Sequence, residues 1–120
     1  MSLSIEIRKV GHVIVMDLAG RVSVLDPLVK QLAGELIERG ERFFIINLAN
    51  VSYLDNAGLG QLCWVYTVVR NRRGDMKLLR PPSRVRKLLN ITKLDTVFES
   101  FEFESDAMES MPLLTSSISA

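Results

Sequence analysis

The sequence predicts an α/β fold: a single domain with a mixed central sheet of four to five strands flanked by about four helices. Three observations carry this. Two extended segments at the start are followed by alternating helical and extended patterns, which predicts parallel βαβ units with right-handed crossovers. Phe43-Phe44-Ile45-Ile46 is an unbroken apolar run, the mark of a strand covered on both faces. At 120 residues the chain suits one domain, and no repeat or linker divides it.

Ile5, Ile7 and Val10 open an extended pattern, and Gly11-His12 reads as a turn. Val13 to Leu18 is β-branched and bounded by glycines, so it reads as a buried strand. Asp26-Pro27 starts a helix: the carboxylate accepts from orphan N–H groups, and proline has no N–H to leave unpaired. Leu28, Leu32 and Leu36, supported by Val29, Ala33 and Ile37, mark its apolar face, and Gly40 ends it. After the run at 43–46, Asp55 or Asn56 caps a second helix with Leu59, Leu62, Tyr66 and Val69 at helical spacing. Arg70, Arg72 and Arg73 suit the negative end of its dipole, and Gly74 ends it. Met76 to Leu79 is a short strand. Beyond Pro81-Pro82, Ser83 is placed to cap a helix carrying Val85, Leu88 and Leu89. Val97, Glu99, Phe101 and Phe103 alternate as in an edge strand, and Ser105-Asp106 starts a last helix with Met108, Met111 and Leu114. Residues 1–112 are therefore read as the domain and 113–120 as a frayed tail.

Composition narrows the function classes. A net charge of +1 with no obvious basic face gives no support for direct nucleic-acid binding. The lone Cys63 lies in an apolar stretch and is read as a buried, inert thiol. The start Met1-Ser2-Leu3-Ser4 lacks the basic and apolar regions of a secretion signal, and no run is long enough for membrane insertion. A cytoplasmic location is the expectation. Two glycosylation-type sequons, at Asn50 and Asn90, are then chance matches.

No catalytic set assembles, so no enzyme is expected, and neither a cofactor nor a metal site. The single histidine, His12, reads as a solvated turn residue. Gly58-Leu59-Gly60 is only a fragment of a dinucleotide fingerprint, so these glycines read as allowing tight turning and close packing. Glu35 with Glu38, and Glu102 with Glu104, read as solvated faces. Arg80, Arg84, Arg86 and Lys87 form a local basic patch, taken first as a solvated helix face and second as an anion or partner site. Trp64 is placed either in a second buried face or as an exposed contact. Asp55-Asn56-Ala57-Gly58 differs in kind, because it turns a strand into a helix and presents N–H groups that favour an anion. A well-capped helix explains it equally well.

The chain resembles the STAS family, the domain of bacterial anti-sigma factor antagonists and of sulfate-transporter tails. The carriers are Val13 to Gly20 with Arg21-Val22-Ser23, then Phe44 through Gly60, then Gly74 to Leu79, Val85, Leu88-Leu89 and Leu94 to Phe98. In stand-alone antagonists, the resemblance implies, the motif reads Asp-Ser-Ser-Gly or Asp-Ser-Thr-Gly. A partner anti-sigma kinase phosphorylates its second hydroxyl residue, and phosphate there abolishes binding. Asp55 takes the aspartate position, Asn56 the first hydroxyl, Ala57 the phosphoacceptor and Gly58 the glycine. Alanine has no oxygen to phosphorylate. Ser23 stands nearest a position that is often acidic in the family. The implied partner-binding residues are Ser23, Asp55, Asn56, Ala57, Gly58, Leu59 and Gly60.

Three roles follow from the resemblance. The first is an antagonist fixed in its binding-competent form, which binds an anti-sigma factor or serine-kinase-type protein and so regulates sigma factor-dependent transcription. The second is a STAS scaffold or accessory subunit of a transport ATPase or signalling complex. The third, placed last, is a module for a small ligand, lipid or nucleotide.

Overall fold

A computed structural model describes residues 2–23 and 26–112. The chain runs β1 (Ser4–Val10), β2 (Val13–Val22), α1 (Leu28–Glu38), β3 (Phe43–Leu54), α2 (Asn56–Asn71), β4 (Asp75–Leu79), α3 (Ser83–Ile91), a 3-10 turn at Leu94–Thr96, β5 (Ser100–Phe101) and α4 (Glu104–Glu109). The expected tail at 113–120, and Leu114 with it, lies outside the described residues.

The five strands lie in sequence order. β1 is antiparallel to β2, and every later pairing is parallel, so the sheet is mixed as expected. Side chains alternate across β3. Phe44, Ile46 and Leu48 join the main core with α1, α2 and α3, while Phe43 and Ile45 join a smaller cluster with Ala107 and Met111 at α4. The unbroken apolar run at 43–46 thus does serve both faces.

Several local readings need correction. In α1 the buried stripe is Val29, Ala33 and Ile37, and Leu28, Leu32 and Leu36 are the half-buried flank. The six apolar residues span a broad arc, so spacing alone does not identify its centre. Helix α1 begins at Leu28, one residue after Pro27, and the Asp26 carboxylate accepts from the Leu28 N–H at 3.2 Å. Ser83 does not cap α3; it is the first helical residue, after Pro82. At the end of α2 the left-handed residue is Arg73, φ 64°. Gly74 serves close packing instead, since a Cβ there would lie 1.8 Å from the Arg42 carbonyl oxygen.

The last strand is shorter than its alternation suggests. Phe98 is buried at 2% exposure, while Val97 at 42% and Phe103 at 63% face out. The 3-10 turn just before this segment rotates its side chains out of strand phase. Phe98 instead meets Tyr66 edge-on, with ring centroids 5.3 Å apart.

Candidate functional site

The site forms where β2 and β3 end side by side. Val22 pairs with Leu54 in parallel register, and the Asp55 N–H donates to the Val22 carbonyl at 3.4 Å. Ser23 and Asp55 are therefore brought together by the first residue beyond each strand. Asp55 is extended, φ −100°, and its carboxylate accepts from the Gly58 N–H at 2.7 Å. Its carbonyl accepts from the Leu59 N–H at 2.8 Å. The cap is thus Asp55, leaving Asn56 to point outward. Because that carboxylate already sits at the positive end of the α2 dipole, the terminus is less suited to a further anion than the bare motif suggested.

The seven candidate residues divide by burial. Asn56, Ala57 and Gly60 are exposed, Ser23 and Asp55 are half-buried, and Gly58 and Leu59 are buried. A Cβ on Gly58 would lie 2.2 Å from the Val22 carbonyl oxygen and 2.9 Å from Leu54 Cδ1, so this glycine lets α2 dock against the end of β2. Gly60 has nothing within 4 Å of such a Cβ, so close packing does not account for it. Leu59 belongs to the core beneath the surface.

Two features were not foreseen. Gln61, 8% exposed, ties α2 to the loop after β2. Its Nε2 donates to the carbonyls of Ser23 at 3.2 Å and Asp26 at 3.1 Å, and its Oε1 accepts from the Lys30 N–H at 3.2 Å. The signal was a polar residue inside an apolar helix, which reads as a mere interruption. Arg21 stacks on Tyr53, with Cζ 4.0 Å from the ring centroid. Beside this pair, residues 51–54 and 82–85 line a cleft of about 390 Å³.

The other candidates lie elsewhere. His12 lies in the expected turn but is half-buried, bonds to the Pro112 carbonyl at 2.7 Å and meets Phe43 edge-on, so it clamps the turn in place and is not simply solvated. Glu104 pairs with Arg8 at 2.7 Å, and Glu102 pairs with Arg86, so this pair of glutamates is engaged rather than simply solvated. Arg80 Nε donates to the Glu102 carbonyl at 2.7 Å. Glu35 and Glu38 are exposed. Cys63 is half-buried, and burial pushes its thiol pKa up. Trp64 is half-buried on the main core, with Lys30 Nζ 5.0 Å from its ring centroid, and so lies between its two expected places. Ser52 is exposed near the end of β3. Among the described residues, no three His, Cys, Asp or Glu side chains group as metal ligands, and no helix is long and apolar enough to cross a membrane.

The sequence model of the STAS domain matches residues 4–107. The anti-sigma-B factor antagonist of Bacillus subtilis is 27% identical over 100 residues, covering 82% of this chain and 91% of that protein. The anti-sigma-B factor antagonist of Listeria monocytogenes is 31% identical over 110 residues, covering 88% of this chain and 95% of that protein. The crystal structure of an anti-sigma factor antagonist from Mycobacterium paratuberculosis shares the fold with a TM-score of 0.83 at 20% identity, covering 92% of this chain and 94% of that one.

Proposed function

This chain belongs to the STAS-domain family, and on that premise we propose that it is an anti-sigma factor antagonist without the usual phosphorylation switch. It binds an anti-sigma factor of serine-kinase type through the first turn of α2 and so regulates sigma factor-dependent transcription in the cytoplasm. Its role is binding, not catalysis. The observation that supports this is the exposed pair Asn56-Ala57, held outward by the Asp55 cap beside Ser23 at the end of β2. The fold that carries this turn is shared with the family, and the resemblance of the motif assigns the methyl group of Ala57 to the phosphoacceptor position. Binding is then set by abundance and competition.

The test is a calorimetric titration with the anti-sigma factor that co-purifies from the native host. A charge at Ala57 adds bulk and desolvation cost where two surfaces meet. Ala57→Glu is expected to weaken binding about tenfold or more, equivalent to about 1.4 kcal/mol. Incubation of the unaltered complex with ATP should leave the affinity and the mass of the chain unchanged. Equal affinity for the variant, or phosphate gained near residues 52–57, would reject the proposal.

A further inference from the structure

The cleft beside the α2 turn has a chemistry of its own. Val51 and Val85 are buried at its base, and Tyr53, 39% exposed, is in its wall. Among the described residues that line it, the only charged one is Arg84. Arg21 stacks on the Tyr53 ring and places a second cation nearby. Pro82, at the N-cap of α3, offers no side-chain acceptor, and the first turn of α3 holds no acidic residue. The positive end of that helix therefore adds to the field of the two arginines. No carboxylate is among the described residues that line the cleft, and Asp55, next after Leu54, turns its carboxylate into the α2 cap on the Gly58 N–H. An apolar recess with a cationic rim and no carboxylate in its described lining complements an apolar side chain flanked by acidic ones.

We propose that this cleft is a docking pocket for an acidic protein segment. One apolar side chain of that segment enters between Tyr53, Leu54 and Val85, and its flanking carboxylates meet Arg84, Arg21 and the N-terminus of α3. The proposal rests on the reading of this end of the sheet as a docking surface and gives the partner's contact face its chemistry. The apolar recess favours a peptide over a nucleic-acid backbone, which would need cations without an apolar anchor.

The experiment is an NMR titration of the full, isotopically labelled chain with a short peptide of one leucine flanked by glutamates. A lysine-flanked peptide and a single-stranded oligonucleotide serve as controls. Amide shifts are expected at residues 51–54 and 83–85 with the acidic peptide alone, falling away at high salt because the rim charges are exposed. Arg84→Glu should weaken the effect about fivefold or more. The variant should fold, since Arg84 is exposed and an acidic residue suits a helix N-terminus. Absence of shifts, equal shifts with either control, or insensitivity to Arg84→Glu would overturn the proposal. Failure of the docking reading is separable: it shows as an Ala57→Glu variant with unchanged affinity for the anti-sigma factor, whatever the peptide does.

Discussion

Two glycines in the first turns of α2 are there for opposite reasons. Gly58 sits where any side chain would collide with the Val22 carbonyl oxygen, 2.2 Å from an added Cβ. That oxygen is backbone at a strand end and cannot swing aside. Gly58→Ala is predicted to cost about 1–3 kcal/mol through overpacking, read as a lower urea midpoint. Gly60 is exposed with open space around it. Gly60→Ala is predicted to add about 0.5–1 kcal/mol of stability, because glycine in a helix loses more backbone freedom on folding than alanine does. A Gly58→Ala midpoint no lower than that of the unaltered chain, or a Gly60→Ala midpoint no higher, would refute the respective assignment. Sequence could name the motif but not separate these glycines, because the difference is distance to a carbonyl 36 residues away, beyond what local spacing encodes. The same holds for Leu59: its place in the motif suggested contact, and its exposure of only 4% puts it in the core.

At the scale of elements, α2 was readable from its capping residues and apolar spacing: of the two candidate caps Asp55 serves, and of the named face Leu59, Leu62 and Val69 are buried while Tyr66 is half-buried and Val65 takes its place in the core. Its attachment to the β2–α1 loop was not readable. Gln61 supplies it through groups 31 to 38 residues distant, and nothing local marks a buried glutamine as an anchor. Gln61→Leu keeps a similar volume but leaves the Ser23 and Asp26 carbonyls and the Lys30 N–H without that partner. An unmade bond of a buried polar group costs about 1–3 kcal/mol, so the variant is predicted to lose stability in that range. The local signature is sharper than the global one. Hydrogen exchange at the Lys30 amide should speed up more than exchange at β3 amides such as Ile45. A uniform acceleration, or none, would show that Gln61 is not what holds this loop. α3 shows the reverse failure of reading: Ser83 had the identity of a cap, but Pro82 fixes the chain so that Ser83 falls inside the helix.

For the whole molecule, the presence of β1 to β4 was legible because each strand carries its own apolar pattern and each crossover its own stop signal, but β3 runs on to Leu54, well past the apolar run at 43–46 that marked it. β5 was not, because two residues cannot carry a period and the preceding 3-10 turn sets their phase. Long-range charge pairing was also invisible. Arg8 on β1 binds Asp17 on β2 and Glu104 on α4, each at 2.7 Å, and Asn47 on β3 donates to Asp17 at 2.8 Å. One cluster thus ties three strands to the helix on the second face of the sheet. The Arg8 guanidinium, helped by Asn47, holds the Asp17 carboxyl below its ordinary value of 3.8 despite partial burial. A carboxyl depressed in the folded state stabilises that state above its unfolded pKa, and the contribution disappears as pH falls through the folded value. Arg8→Met removes the cation and keeps an apolar stem against the sheet. Near neutral pH the variant should be less stable by about 0.2–1 kcal/mol, the scale of an exposed ion pair, since the Arg8 side chain is 42% exposed. The gap should close on acidification, starting near the ordinary carboxylate range and ending below the folded value of Asp17. Parallel urea titrations of the two chains across that range decide it. A gap that persists once Asp17 is protonated would assign the loss to packing of the arginine stem and not to its charge.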